Sequence, residues 1–218
     1  MAARSDLSFG DWLDFTFGRP VRSDYYPFFD DREDYWDPAP AVGIDYLTRL
    51  FEDPASLLHG YEDRQIGSAL WLLSSEDSHC LYSRDVPVEA RERCLAAIGT
   101  LFSDLFEARC TPVLGHRDQP GAGPVNASCY MWWENLPFPA APDDPDRERL
   151  NSAMVATMDR SLKLANPACQ ESAVHGLGHL VRHGPCGIDA ILTAYSERDD
   201  ILPELAAYAR AARTGCIL

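Results

Sequence analysis

The sequence has no run of about 18 apolar residues and no apolar stretch after its first residues, so neither a membrane span nor a secretory signal is indicated. Its seven cysteines are widely spaced and include no C-x-x-C pair, which argues against a disulfide framework and against a zinc ribbon. We therefore expect a cytoplasmic protein whose cysteines are reduced, several of them buried.

Complete catalytic motifs are also missing. The triplet His116-Arg117-Asp118 matches part of a kinase catalytic loop, but no glycine-rich loop precedes it and no Asp-Phe-Gly follows it. Residues 121–123 (GAG) lack the Gly-Lys-Ser/Thr of a phosphate-binding loop. No enzymatic activity is therefore predicted from a motif.

Basic residues are few beside the acidic ones. The chain has 34 acidic and 19 basic residues, and most of its net charge of −15 lies in residues 1–109. Such a field repels nucleic acid and anionic membranes and speeds encounter with a basic partner. The alternative is that the charge serves only solubility.

Strand-like alternation is nearly absent, whereas apolar residues recur at helical spacing. We predict a single all-α domain of 218 residues, with an N-terminal subregion (1–136), a proline-rich connector (137–145) and a C-terminal subregion of helical hairpins (146–218). Long irregular loops are expected at 19–41 and 111–124, and residues 129–133 (CYMWW) are expected in the core. The predicted helices are 7–16, 42–52, 62–74, 87–110, 126–135, 145–164, 167–183, 187–198 and 203–214.

Residues 170–180 resemble the small-residue second helix of HEAT-like repeats; their sequence is QESAVHGLGHL. Residues 65–73 (QIGSALWLL) are a weaker match to the same helix. The resemblance covers about 145–214 and extends in part to 42–107, with no fixed period joining the two halves. The chain is also similar to bacterial helical proteins that have no assigned activity. The resemblance implies antiparallel hairpins stacked in an α–α superhelix, and a binding surface.

Residues 24–37, the acidic aromatic segment, contain six acidic, six aromatic and one basic residue. Aromatic rings interleaved with carboxylates suit recognition of a basic surface through cation–π contacts and charge pairing. The alternative is that the rings pack under the first helices as a lid while the acids stay in water. The candidate partner-binding residues are Asp24, Tyr25, Tyr26, Asp30, Asp31, Glu33, Asp34, Tyr35, Trp36 and Asp37.

Four polar residues follow one another at four-residue steps along a predicted helix: Glu171, His175, His179 and His183. Since side chains at i and i+4 share a helix face, two neutral imidazoles there can chelate a divalent metal such as zinc, with His116 or Asp118 as extra ligands. No glutamate follows His175, so the general base of the H-E-x-x-H motif is absent and a metalloprotease is not expected. The alternative is a solvated or inter-helical polar face, opposite the core, on which Glu171 pairs with His175.

Three functions stay open at this point. The first is a non-catalytic interaction module that docks a basic protein, for example an immunity or antitoxin protein that neutralises a cationic toxin. The second is a metal-binding protein or metal-dependent enzyme that uses the Glu171/His175/His179/His183 face, with a small substrate held against the 111–124 loop. The third is a subunit of a larger assembly. No nucleic acid or membrane is expected as a partner, and the sequence does not predict the oligomeric state.

Overall fold

The computed structural model describes residues 2–21, 34–75, 78–136, 143–183 and 187–217. These residues are mostly helical, as predicted. The helices are α1 (Phe9–Phe17), α2 (Pro40–Glu52), α3 (Pro54–Leu57), α4 (Asp63–Ser75), α5 (Val88–Thr100), α6 (Glu107–Arg109), α7 (Asn126–Tyr130), α8 (Trp132–Asn135), α9 (Arg147–Ser161), α10 (Pro167–Val181), α11 (Ile188–Ser196) and α12 (Pro203–Ala212).

Two of the predicted helices are interrupted. The helix expected over 87–110 is α5 and α6 joined by a π-helical turn, Leu101–Phe106, a geometry that periodicity does not reveal. The helix expected over 126–135 divides at Met131 into α7 and α8.

A pair of short parallel strands was not predicted. β1 (Ala2–Arg4) pairs with β2 (Asp34–Trp36), which brings the end of the acidic aromatic segment against the first helix. Trp36 is buried there, with its ring centroid 5.0 Å from that of Trp12. Strands of three residues are too short to leave a readable alternation in the sequence.

One cluster of buried apolar residues extends from Trp12 on α1 to Ala212 on α12. The prediction that residues 129–133 belong to the core is confirmed for Cys129, Trp132 and Trp133, which are fully buried. Helix α5 packs between α2 and α9, and α4 packs against α7 and α8. The two tryptophans thereby fix α8 beside the C-terminal helices.

Helix α10 lies at the centre of the C-terminal helices and contacts α7, α8, α9, α11 and α12. It begins where predicted, because Asn166 caps it by accepting a hydrogen bond from the N–H of Ala168 (3.0 Å) and Pro167 occupies its first turn. Its residues from Ala168 to Gly178 are all buried. The polar face was expected to be solvated or inter-helical; this burial contradicts the solvated form for most of the helix and is compatible with the inter-helical one.

Small residues allow this close packing. A Cβ atom on Gly176 would lie 2.7 Å from Cβ of Trp133, and one on Gly178 would lie 2.4 Å from Cγ2 of Ile217. Gly176 is also the position at which an H-E-x-x-H motif would carry its glutamate. The packing against Trp133 thus explains why no larger side chain stands there.

The remaining general predictions concern the cysteines and membranes. In the described part of the chain the cysteines are free thiols; Cys216 is exposed, and the others, Cys80, Cys94, Cys110, Cys129 and Cys169, are buried. Among the described helices, none combines the length and the apolar character needed to cross a bilayer.

Candidate metal centre

Three side chains from two helices converge at the C-terminal half of α10. His175 Nε2 lies 2.8 Å from Glu134 Oε2, and His179 Nε2 lies 3.1 Å from His175 Nε2 and 3.5 Å from the same carboxylate oxygen. The three donor atoms all lie within 4.8 Å of one another. We call Glu134, His175 and His179 the metal triad.

The separations within the triad fit a single small cation. Zinc binds His nitrogen and carboxylate oxygen at about 2.0–2.2 Å, so two donors in tetrahedral geometry lie about 3.3 Å apart. The three observed separations bracket that value. Two imidazoles and one carboxylate also form the donor set of facial triads that hold iron(II).

His175 is the buried member of the triad. Its side chain is only 2% exposed, and its Nδ1 atom lies 2.6 Å from the hydroxyl of Tyr208 on α12. Burial holds the pKa of His175 below its ordinary value, and this effect outweighs the opposing hydrogen bond with Glu134. The neutral imidazole, which is the form that binds metals, is therefore favoured.

Glu134 is held in place by the core beneath it. It follows the buried Trp132 and Trp133 on α8, and its own side chain is 43% exposed. Burial acts to raise the pKa of Glu134, but the hydrogen bonds and charges of His175 and His179 together outweigh it and keep this pKa below the ordinary value. A lowered pKa favours the ionised carboxylate of Glu134, which is the form that binds a cation.

Glu171 serves a different purpose from the predicted one. Its carboxylate is buried and accepts hydrogen bonds from the backbone N–H groups of Gly115 (2.8 Å) and His116 (2.9 Å), and it lies 2.5 Å from His116 Nδ1. The expected pairing of Glu171 with His175 is replaced by this anchoring of the 111–124 loop. One buried carboxylate thus satisfies two amides of a loop that has little regular structure.

The other candidate ligands lie outside the triad. His183 is exposed beyond the end of α10, and His116 is held by Glu171 and stacks on Tyr208 with 4.2 Å between ring centroids. Asp118 is exposed and has a left-handed backbone conformation, with φ of 48°. Of the four residues predicted on the helix face, only His175 and His179 come together, and the third donor is Glu134.

A cavity of about 320 Å³ lies beside Tyr130. Its lining includes Tyr130, Glu171, Asp118 and small residues of α7 and α10. The ring of Tyr130 also contacts His175, with 4.7 Å between the ring centroids. The triad and the cavity therefore share one wall.

The acidic aromatic segment is described only at its end, since residues 22–33 lie outside the described ranges and include the predicted Asp24, Tyr25, Tyr26, Asp30, Asp31 and Glu33. Asp34 forms ion pairs with Arg4 (2.8 Å) and Arg19 (3.1 Å). Trp36 is buried, as the lid interpretation expects for this residue, whereas Tyr35 and Asp37 are exposed.

Comparison of the chain with protein-family models, with curated proteins and with solved structures finds no match.

Proposed function

We propose that this protein binds one divalent transition-metal ion through Glu134, His175 and His179. The observation that supports this proposal most directly is that two imidazole nitrogens and one carboxylate oxygen lie within 4.8 Å of one another on two packed helices. Zinc and iron(II) both accept this donor set. The buried second contact of His175 with Tyr208 supports the proposal, because metal-binding histidines usually hydrogen-bond through their other ring nitrogen.

The triad supplies three donors, and its outer side is accessible. The side chains of Glu134 and His179 are 43% and 32% exposed. Structural zinc sites are usually closed by four protein ligands, whereas sites that bind water or a substrate keep a position open. We therefore assign the triad to the open class, in which the metal acts as a Lewis acid toward a ligand from solution. The cavity beside Tyr130 offers space for part of such a ligand.

Metal content tests the proposal directly. The protein is purified without chelators, loaded with zinc, dialysed, and measured by inductively coupled plasma mass spectrometry. We expect one equivalent of metal in the wild type and in His183→Ala, whose side chain is exposed outside the triad. His179→Ala should retain much less than one equivalent. Equal retention by all three proteins, or none by the wild type, would refute the metal site.

A second candidate is an interaction module for a basic protein, of which an immunity protein is one form. It is supported by the net charge of −15 and by the exposure of Tyr35 and Asp37 beside the first helix. We expect a basic protein to co-purify from native lysate at low salt and to dissociate at high salt, because exposed charges are screened. Purification of the protein without any basic partner at low salt would contradict this proposal.

The finer description of the fold also remains a proposal. We propose that α9 to α12 stack as HEAT-like hairpins, which is supported by the packing of α10 on α9 and α12, and of α11 on α12. A cytoplasmic location accords with the free thiols in the described part of the chain.

A further inference from the structure

The hydroxyl of Tyr208 occupies a specific position behind the metal triad. It lies 2.6 Å from Nδ1 of His175, on the opposite side of the ring from the nitrogen that faces Glu134. Tyr208 is 5% exposed, and His116 stacks on its ring with an interplanar angle of 6°. The hydroxyl of Tyr208 is therefore held beside Nδ1, the buried ring nitrogen of His175, and not beside Nε2.

The contacts specify one tautomer of His175 in the metal-free protein. The carboxylate of Glu134 accepts a hydrogen bond, so Nε2 of the neutral ring carries the proton and donates it across the 2.8 Å contact. Nδ1 then presents its lone pair, and the hydroxyl of Tyr208 donates to it. Each ring nitrogen has a partner of the required type in this arrangement.

Metal binding demands the other tautomer. A metal ion in the triad would take the lone pair of Nε2, so the Nε2 proton would leave to solvent and one proton from solvent would be taken up at Nδ1. The ring stays neutral, and Nδ1 now donates to the oxygen of Tyr208. The proton of that hydroxyl must turn elsewhere, and the hydroxyl oxygen of Tyr130, 3.5 Å away, is within reach.

We propose that Tyr208 is a positioning residue for metal binding, and that its hydrogen bond with His175 reverses direction when the metal binds. The inference rests on the proposed metal function and adds a consequence. Tyr130 contacts His175 and also lines the cavity. The reversal would therefore change the hydrogen bonding of a residue in the cavity wall when the metal binds. His116, held by Glu171, keeps the tyrosine in the required orientation.

Nitrogen NMR of the wild type tests the reversal without any substitution. With ¹⁵N-labelled histidine, the His175 signals are assigned by their absence in His175→Gln, and long-range proton couplings identify the protonated nitrogen. We expect Nε2–H in the metal-free protein and Nδ1–H after addition of zinc. A metal-free protein with Nδ1–H, or zinc binding without a change of tautomer, would overturn the inference.

The zinc affinity of a Tyr208 variant provides a second test. Tyr208→Phe removes the acceptor for Nδ1–H, and we expect zinc affinity to fall about 10-fold or more, in the range found for outer partners of metal-binding histidines. Tyr195→Phe is the matched control, since Tyr195 is also buried and donates to Gln170 on the same helix (2.7 Å) without contacting the triad. Its zinc affinity should stay within about twofold of the wild type.

The outcomes separate this inference from the proposed function. A wild type that binds no zinc refutes the metal site and this inference together. A wild type that binds zinc, with Tyr208→Phe binding equally well, refutes only the role of Tyr208.

Discussion

The Nε2 atoms of His175 and His179 lie 3.1 Å apart on successive turns of α10. Two N–H groups cannot point at each other at this distance, so at least one of the two nitrogens presents its lone pair to the other. Glu134 lies against the same pair of nitrogens and brings a negative charge. A cation between these side chains would be attracted by the carboxylate and by the nitrogen lone pairs.

Zinc should raise the thermal stability of the folded protein. At a free zinc concentration of 100 times Kd, binding stabilises the native state by about 2.7 kcal/mol. For a chain of this size, that corresponds to a rise in Tm of roughly 5 to 10 °C. Calorimetry with zinc, and then with excess EDTA, checks both the rise and its reversal. His183→Ala should show the same rise; a Tm that zinc does not change in the wild type would contradict the metal site.

Gly176→Ala should destabilise the protein although alanine is the better helix former. The added Cβ would lie 2.7 Å from Cβ and Cγ of Trp133, which cannot move without disturbing the core. We expect a loss of about 1–3 kcal/mol in the free energy of unfolding, measured with urea. Gly10 in α1 has open space around it, so Gly10→Ala should be neutral or stabilise by up to about 1 kcal/mol. A stabilising Gly176→Ala would show that α10 does not pack this closely.

Asp144→Ala should be strongly destabilising, because it leaves a buried guanidinium short of a partner. Arg91 on α5 donates to Asp144 at 2.7 Å, and both side chains are 2% exposed. Breaking such a buried pair costs about 3–5 kcal/mol of unfolding free energy. The control is Glu52→Ala, which breaks an exposed ion pair with Arg93, a residue that lies on α5 like Arg91; it should cost less than about 1 kcal/mol. Urea unfolding of both variants measures the difference; equal losses would contradict the buried pair.

Acid should remove part of the stability that Asp144 contributes. Burial acts to raise the pKa of Asp144, but the hydrogen bonds from Arg91 and from the backbone N–H of Asp146, together with the charges of Arg91 and Arg84, outweigh it and keep this pKa below its ordinary value. The contribution is therefore present above about pH 4 and is lost as the pH falls through the folded-state pKa. We expect Asp144→Asn to show a shallower loss of unfolding free energy below pH 4 than the wild type. Parallel curves would contradict this assignment.

The helices of the C-terminal half were predictable because their boundaries are set locally. Asn166 and Pro167 specify the start of α10 by capping and by a fixed backbone angle, and the structure begins the helix there. The interior of α10 was predicted less well, because burial on several sides depends on which helices pack against it. The small residues Gly176 and Gly178 were the signal of that packing.

Two of the three members of the metal triad were predictable, and the third was not, for a similar reason. His175 and His179 are one helical turn apart, so their proximity follows from the helix itself. Glu134 is 41 residues away from His175 in the sequence and reaches it only because two buried tryptophans orient α8. Glu171 has the same helical spacing as the histidines but faces the 111–124 loop, whose backbone amides needed a buried acceptor. Neither the contact of Glu134 with His175 nor that of Glu171 with the loop leaves a local pattern in the sequence.

The most direct measurement is a calorimetric titration of zinc into the wild type, Glu134→Gln and His183→Ala. Glu134→Gln keeps the shape of the side chain and removes its charge, whereas His183→Ala removes an exposed histidine outside the triad. We predict one zinc site in the wild type and unchanged zinc affinity in His183→Ala. In Glu134→Gln the zinc affinity should fall by more than the roughly 10- to 100-fold that is typical when a residue hydrogen-bonded to a metal ligand is removed. Equal affinity of the wild type and Glu134→Gln would contradict Glu134 as a ligand and, with it, the metal triad.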